Sequence, residues 1–256
     1  DTSSIACNDV WPHARRWRHA RGGPMSRPAP RQFTVLAKRL VTPNMWRLTL
    51  GGPGMVDFPP DQETAYIKLR FAQPGSSRPL LRTYTVRQQR AEAIDVDVVR
   101  HVHGGPAARW AENAAAGETI EASGPGPVKR LDHEADWFLL AGDMTALPAI
   151  GANIEALPAE ATGRAIIEVI DAEDRQALSA PRGLAIDWLI NPSPGERAEL
   201  LAEAVREMIW QPGRPSVWAA CEFRAMQALR THLRDEREVE RARLYISSYW
   251  QLGQNE

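Results

Sequence analysis

Between residue 32 and about residue 127, short apolar–polar alternations follow one another at the two-residue period of β-strands. They are QFTVLAKRLV, MWRLTLGG, AYIKLRFA, LLRTYTVR, AIDVDVVRH and ETIEASGPG. Thr42-Pro43-Asn44 makes a turn-like break between the first two. In the fifth, Ile94, Val96 and Val98 alternate with Asp95 and Asp97. A short helix, PAARWAENAAAG, opens on Pro106, a favoured first-turn residue, and stops at Gly117, a natural C-terminal cap. Six short strands with one small helix predict an antiparallel six-stranded β-barrel.

From about residue 132 the pattern changes. DWFLLAGD and GRAIIEVID read as strands of the buried, parallel type, and LAIDWLI, PSVWAACEF and RARLYISSYW complete five. Helices are expected between them in TALPAIGANIEAL, AEDRQAL, SPGERAELLAEAVREMI and RAMQALRTHLRDEREV. The third carries a helical stripe of Leu200, Leu201, Ala204, Val205, Met208 and Ile209. Strands alternating with helices predict an α/β domain with a five-stranded parallel sheet. The chain therefore divides into a barrel domain at 32–131 and an α/β domain at 132–256. Residues 1–31 are expected to lie outside both. Residues 1–24 precede Met25, have no apolar signal core, and carry four arginines against two aspartates. Met25 reads as the natural start, with a basic targeting segment as the alternative.

Composition narrows the function classes. The formal net charge of −1 supplies no basic field for nucleic acid. No apolar run reaches the roughly 18 residues that a membrane-spanning helix needs. Cys7 and Cys221 stand far apart, in no metal-ligand spacing, which disfavours a disulfide framework, a zinc site or a cysteine-held cluster. The six histidines are scattered, so no metal cage is expected.

Two stretches could carry chemistry in the first domain. Arg82-Thr83-Tyr84-Thr85 sets a guanidinium fork, a phenol and hydroxyls in one strand. Arg82 could clamp a phosphate, and Tyr84 could pack on a flat ring or bond a polyol. For the tetrapeptide alone, an ordinary barrel strand with one solvated Arg and a buried Tyr is the better account. In RHVHGGPAARWA, Gly104 and Gly105 allow close backbone approach, and Pro106 opens a helix whose free N–H groups at Ala107 and Ala108 form an anion site. A plain glycine turn is the alternative. In the second domain, Gly142-Asp143 ends a strand and Thr145 begins a helix, with no G-x-G-x-x-G fingerprint.

Taken in order, RTYTVR, HVHGGPAARWA with SGPGP, LLAGDMTALPAI, and VWAACEF with SYWQLG resemble the siderophore-interacting proteins. These are flavin-dependent ferric-siderophore reductases of the ferredoxin-reductase-like superfamily. The resemblance implies FAD on the barrel. Arg82 would meet its phosphate, Thr83 would lie in the same strand, and Tyr84 and Thr85 would meet the ring. His101 would lie along the flavin, and Gly105, Pro106, Ala107 and Ala108 would cap the diphosphate. Gly142, Asp143, Thr145, Ala146 and Glu222 would form the side for NADH or NADPH, and Tyr249 and Trp250 would shield the flavin. The flavin carries the chemistry, so no catalytic side chain and no protein-bound metal is implied. Two residues depart from the family pattern: Ala108 stands where a hydroxyl is usual, and Cys221 stands where glycine usually precedes Glu222. Loss of one hydroxyl bond to an anion costs roughly 1.5–3 kcal/mol if nothing replaces it. Trp110 is expected to pack, not to bind.

The expected activity is NAD(P)H-dependent reduction of a ferric siderophore in the cytoplasm by a monomer. The alternatives are a flavin diaphorase serving a redox-protein partner, and a non-enzymatic ferric-siderophore binder. Arg164, Arg175 and Arg224 are candidates for the 2′-phosphate of NADPH.

Overall fold

The computed structural model describes residues 29–100 and 104–254. The first lobe is built from β1 (Arg31–Thr42), β2 (Met45–Gly51), β3 (Tyr66–Phe71), β4 (Leu80–Thr85), β5 (Gln88–Arg90), β6 (Ala93–Val99) and β7 (Thr119–Ser123). They form one antiparallel sheet in the order β4-β3-β7-β1-β2-β6-β5. This corrects the expected count of six strands to seven. No ladder joins β4 to β5 among the described residues, so a closed barrel is not what the pairing gives. The extra strand is Gln-Gln-Arg, which has no apolar alternation and no turn residue separating it from LLRTYTVR. Its pairing comes from the neighbouring β6, not from its own pattern.

The inward positions of these strands make the core: Phe33, Val35, Leu48, Leu50, Ile67, Leu69, Ile94, Val96 and Val98 are all essentially inaccessible. Burying each such side chain contributes about 1.5–3 kcal/mol. The other face of β6 is covered as well. Arg47, opposite Asp97 in register, grips it through two bonds of 2.6 and 2.7 Å. Arg90 and Thr49 do the same for Asp95. Burial would raise the Asp95 carboxyl, but the Arg90 and Thr49 bonds outweigh it and hold it below its ordinary value.

Helix α1 (Pro106–Asn113) closes one end of this sheet. Trp110 packs edge-on against Phe71 with ring centres 6.0 Å apart, as a packing residue should.

The second lobe holds β8 (Trp137–Gly142), β9 (Thr162–Val169), β10 (Gly183–Ile190), β11 (Pro215–Glu222) and β12 (Leu244–Trp250). All five are parallel, in the order β10-β9-β8-β11-β12, as the sequence predicts. Helix α2 (Leu147–Glu155) covers one face, over Leu140, Ile167 and Trp218. Helices α3 (Glu199–Glu207) and α4 (Phe223–Thr231) cover the other, over Leu139, Ile166 and Val217. The expected AEDRQAL helix is instead one 3-10 turn, Ala172–Asp174. Asp171 caps that turn, and the Asp174 carboxylate both completes the capping box by accepting the Asp171 N–H and holds Asn44 of the first lobe. Side chains that satisfy backbone donors locally compete with helix growth.

The lobes are tied together by polar bonds and by close packing. Arg87 donates to Glu155 at 2.8 and 2.7 Å. Its guanidinium lies over Gly151 of α2, where a Cβ would stand 3.2 Å away. Asn153 accepts from the Leu131 N–H and donates to the Lys129 carbonyl, which also receives the Trp218 indole.

Candidate functional site

In the parallel sheet the chain runs outward from β8 through β9 to β10, then returns to β11 on the other side. Ligands of open α/β sheets bind at such a reversal, outside the carboxyl ends of the strands. There the second lobe faces β4 and α1 of the first across a cleft of about 570 Å³. That volume lies within the usual range for a cofactor site.

The first-lobe wall is β4 and α1. Arg82, Thr83, Tyr84 and Thr85 all line the cleft. Gly105 is the N-cap of α1 and Pro106 takes the first position, where a missing N–H costs nothing. The Arg109 N–H closes the first turn onto Gly105, while its side chain pins the Gly104 carbonyl at 2.7 Å. The N–H groups of Ala107 and Ala108 precede that first bond and have no intrahelical acceptor. Gly105, Ala107 and Ala108 line the same cleft as Arg82. A guanidinium and a helix N-terminus in one wall form an anion-binding donor set, and the adjacent hydroxyls and Tyr84 suit a polyol and a ring. This donor set fits the diphosphate and ring of FAD. His101 lies outside the described residues.

The second-lobe wall is the end of β12. Tyr245, Ser247, Ser248, Tyr249 and Trp250 line it. Burial, and then the neighbouring Tyr245, push the Tyr249 phenol well up, and it hydrogen-bonds Thr85 across the cleft. Trp218 stacks on Tyr245 at 5.2 Å and meets Tyr249 edge-on. Lys129 lies 5.7 Å from the Tyr245 ring. Neither Tyr245 nor Lys129 is singled out by the sequence reading. The one signal for Tyr245 is that Tyr245, Ser247 and Tyr249 alternate along the last strand, which places them on one face.

The β8 end is organised by Asp143, which is 5% exposed. Its Oδ1 accepts from the Thr145 N–H and hydroxyl at 2.9 and 2.5 Å. Its Oδ2 accepts from the Glu222 N–H at 2.9 Å and the Trp250 indole at 2.8 Å. Burial raises the Asp143 carboxyl above its ordinary value, while these four donors pull it back. Asp143 is thus a hub joining β8, β11 and β12. Gly142 packs rather than admits ligand: a Cβ there would lie 2.5 Å from the Ala220 carbonyl. Ala146 is fully buried at the α2 N-cap. Glu222 turns inward, capping α4 through the Arg224 and Ala225 N–H groups and holding the Leu252 N–H. Of the residues expected on the nicotinamide side, Thr145 alone lines the large cleft. Cys221 is 1% exposed, and burial pushes its thiol well up, so it is an inert packing residue.

The arginines suggested for a 2′-phosphate separate. Arg164 sits near the start of β9 and pairs with Asp187, far from the carboxyl edge. Arg175 follows the turn after β9 and Arg224 opens α4, so both stand at that edge and are exposed. Among the described residues no cluster of His, Cys, Asp or Glu could hold a metal, and no helix is long and apolar enough to cross a membrane.

Comparison with known proteins agrees with this geometry. A family model described as siderophore-interacting protein matches residues 135–253, and one described as siderophore-interacting FAD-binding domain matches residues 72–129. The chain is 34% identical to ferric vibriobactin reductase ViuB of Vibrio cholerae, over 91% of this chain and 93% of that protein. Its structure superposes on the siderophore-interacting protein SipS from Aeromonas hydrophila with a TM-score of 0.79 and 35% identity, covering 88% of this chain and 92% of SipS. A siderophore utilization protein from T. fusca gives 0.81 and 34%, over 89% and 95% of the two chains. Phthalate dioxygenase reductase, at 17% identity and a TM-score of 0.61 over 86% of this chain and 68% of that one, shares the fold alone. The chain belongs to the siderophore-interacting protein family.

Proposed function

We propose that this protein is an FAD-dependent, NAD(P)H-using reductase of a ferric siderophore, releasing iron as Fe(II) in the cytoplasm. The observation that carries the reading is the cleft in which Arg82 and the α1 N-terminus share a wall and Tyr249 and Trp250 stand opposite. In this reading residues 32–131 hold FAD and residues 132–256 hold the nicotinamide donor. Arg82 and the N–H groups of Ala107 and Ala108 take the diphosphate. Ala108 offers no hydroxyl, so the backbone donors and Arg82 carry that contact. Thr83, Tyr84 and Thr85 border the ring and its polyol chain, with Thr85 oriented by Tyr249. Trp250 shields the cleft at the side where the nicotinamide arrives.

Bound there, FAD would supply two-electron hydride acceptance and one-electron release. The protein's part is placement, charge and exclusion of water. Reduction weakens the hold of hard catecholate or hydroxamate oxygens on iron, which frees the metal. The reading takes the protein to work as a monomer. ViuB is named as a ferric vibriobactin reductase, which favours this reading over a diaphorase or a passive binder.

The visible spectrum of the purified protein tests the reading. Flavin bands, bleached anaerobically by NADH or NADPH, are expected. Colourless protein that takes up no added FAD contradicts it.

A further inference from the structure

The lobes are joined covalently at one end of the parallel sheet. Residues 124–136 carry the chain from β7 to the start of β8, which is the amino end of that sheet. Helix α2 runs back from the carboxyl end of β8, because the parallel strand β9 has to start again at the amino end. Asn153 and Glu155, near the end of α2, therefore meet their partners Leu131 and Arg87 on the linker side. Contacts on that side hold a hinge. A hinge alone would let the cleft gape at the carboxyl end, where ligands enter.

A second set of contacts stands at that open end. Asp174 follows the carboxyl end of β9. The eight residues of that strand, at about 3.3 Å each, separate the two sets by roughly 25 Å along the strand direction. Asp174 is fully buried, and its carboxylate reaches the turn between β1 and β2. Its Oδ1 accepts from the Asn44 N–H at 2.9 Å, and its Oδ2 from the Asn44 side-chain amide at 2.8 Å. One residue that offers both amides to one carboxylate fixes an angle as well as a distance.

The next residue goes deeper. Met45 is fully buried and belongs to the same core cluster as Leu140, Ile150 and Trp218 of the second lobe, together with Val99 of β6. Its sulfur accepts from the Gln176 amide at 3.3 Å. The tip is also braced to its own lobe. Arg100 donates its N–H to the Asn44 carbonyl at 2.8 Å and its guanidinium to the Pro43 carbonyl at 3.0 Å. Lobes move relative to one another by default unless apolar packing joins them. Here a first-lobe side chain is part of the second lobe's core, and opening would strip a buried carboxylate of two donors.

We propose that the β1–β2 tip is a latch. Asn44, Met45 and Asp174 bolt the lobes into one body and hold the cleft walls at a fixed separation. They are thereby positioning residues for transfer between the nicotinamide donor and the flavin. The kinetic part rests on the nicotinamide-dependent reading above; the latch itself does not.

Hydrogen exchange of the full-length, FAD-loaded protein, with and without saturating NADH or NADPH, tests the latch. The Asn44 and Arg100 amides should stay protected to within about threefold when nucleotide is added. Faster exchange shows that the lobes open and overturns the proposal, and this arm needs no variant to fold. Asn44→Ala and Asp174→Ala should speed exchange at the tip. They should also lower the limiting rate of anaerobic flavin reduction by about tenfold, with nucleotide and FAD affinities unmoved. Asp171→Ala uncaps the same 3-10 turn without touching Asn44 and should leave both readouts at wild-type values. Latch variants that match the wild type in both readouts, or an Asp171→Ala that matches Asp174→Ala, overturn the proposal. Flavin that neither nucleotide bleaches removes the nicotinamide reading, and exchange in the variants then decides the latch by itself.

Discussion

The indole N–H of Trp250 donates to Oδ2 of Asp143 at 2.8 Å, tying the last strand to the turn that follows the first strand of the parallel sheet. The two residues are 107 positions apart in sequence. The same carboxylate holds Thr145 and the Glu222 backbone, so one buried side chain fixes three strand ends around the cleft. Asp143→Ala would leave those buried donors without an acceptor. A loss of about 3 kcal/mol is expected, read as a lowered urea midpoint at unchanged m-value. A variant as stable as the wild type would show that Asp143 is no hub.

Trp250 is held from its other edge by Gly195. That glycine has φ of +81°, and a Cβ on it would stand 2.8 Å from the indole ring. Gly195→Ala therefore pushes the ring away from its seat as well as straining the backbone. If Trp250 shields the flavin, both Gly195→Ala and Trp250→Ala should lower the apparent KM for the nicotinamide donor by several-fold, since the ring no longer has to be displaced. Unchanged KM in both variants would assign the ring to packing alone.

Arg82→Ala should raise the dissociation constant of FAD by about 10- to 100-fold, the cost of one charge-assisted contact to a phosphate. The far-ultraviolet circular dichroism should not change, because Arg82 sits on the cleft wall and not among the core side chains of its sheet. Fluorescence quenching of added FAD measures the constant. An unchanged value would remove Arg82 from the diphosphate site.

Glu168 also predicts a pH dependence. Burial, with the Asp143 charge adding to it, raises its carboxyl from 4.5 to about 7. Between those values the folded protein keeps a proton that the unfolded chain has released. The stabilisation is fully present below about 4.5 and is lost as pH rises through about 7. At about 1.4 kcal/mol per pH unit between those values it amounts to roughly 3 kcal/mol. In Glu168→Gln that slope should vanish, so the stability difference between variant and wild type should change across pH 5–8 in urea titrations and flatten above it. A difference independent of pH would mean that Glu168 is ionised throughout.

The sequence revealed the architecture where one period ruled. QFTVLAKRLV and AIDVDVVRH became β1 and β6, and the continuous run in DWFLLAGD became the central β8. It failed where distant partners decided. Gln88–Arg90 is a strand because β6 offers an edge, and AEDRQAL makes only one turn, whose Asp171–Asp174 capping box is also tied to Asn44, 130 residues away. The first-lobe wall was legible because Arg82 to Thr85 and Gly105 to Ala108 are contiguous segments. The second-lobe wall was less so. Glu222 reads like a ligand residue and is used as a helix cap, whereas Glu168, embedded in an apolar run, reads as strand and is a buried carboxyl held by Asn191. Local spacing predicts a helix cap or an anion site; it does not say which of several carboxylates the fold buries.

Fe(II) capture by a chromogenic chelator, under anaerobic conditions, bears most directly on the proposed activity. The FAD-loaded protein is mixed with a ferric catecholate and either NADH or NADPH. Fe(II) should appear only when protein, flavin and nicotinamide nucleotide are all present, and its rate should fall in Arg82→Ala at limiting FAD. Flavin that is bleached by the nucleotide yet yields no Fe(II) with either catecholate or hydroxamate chelates, while passing electrons to a redox protein, would contradict ferric-siderophore reduction.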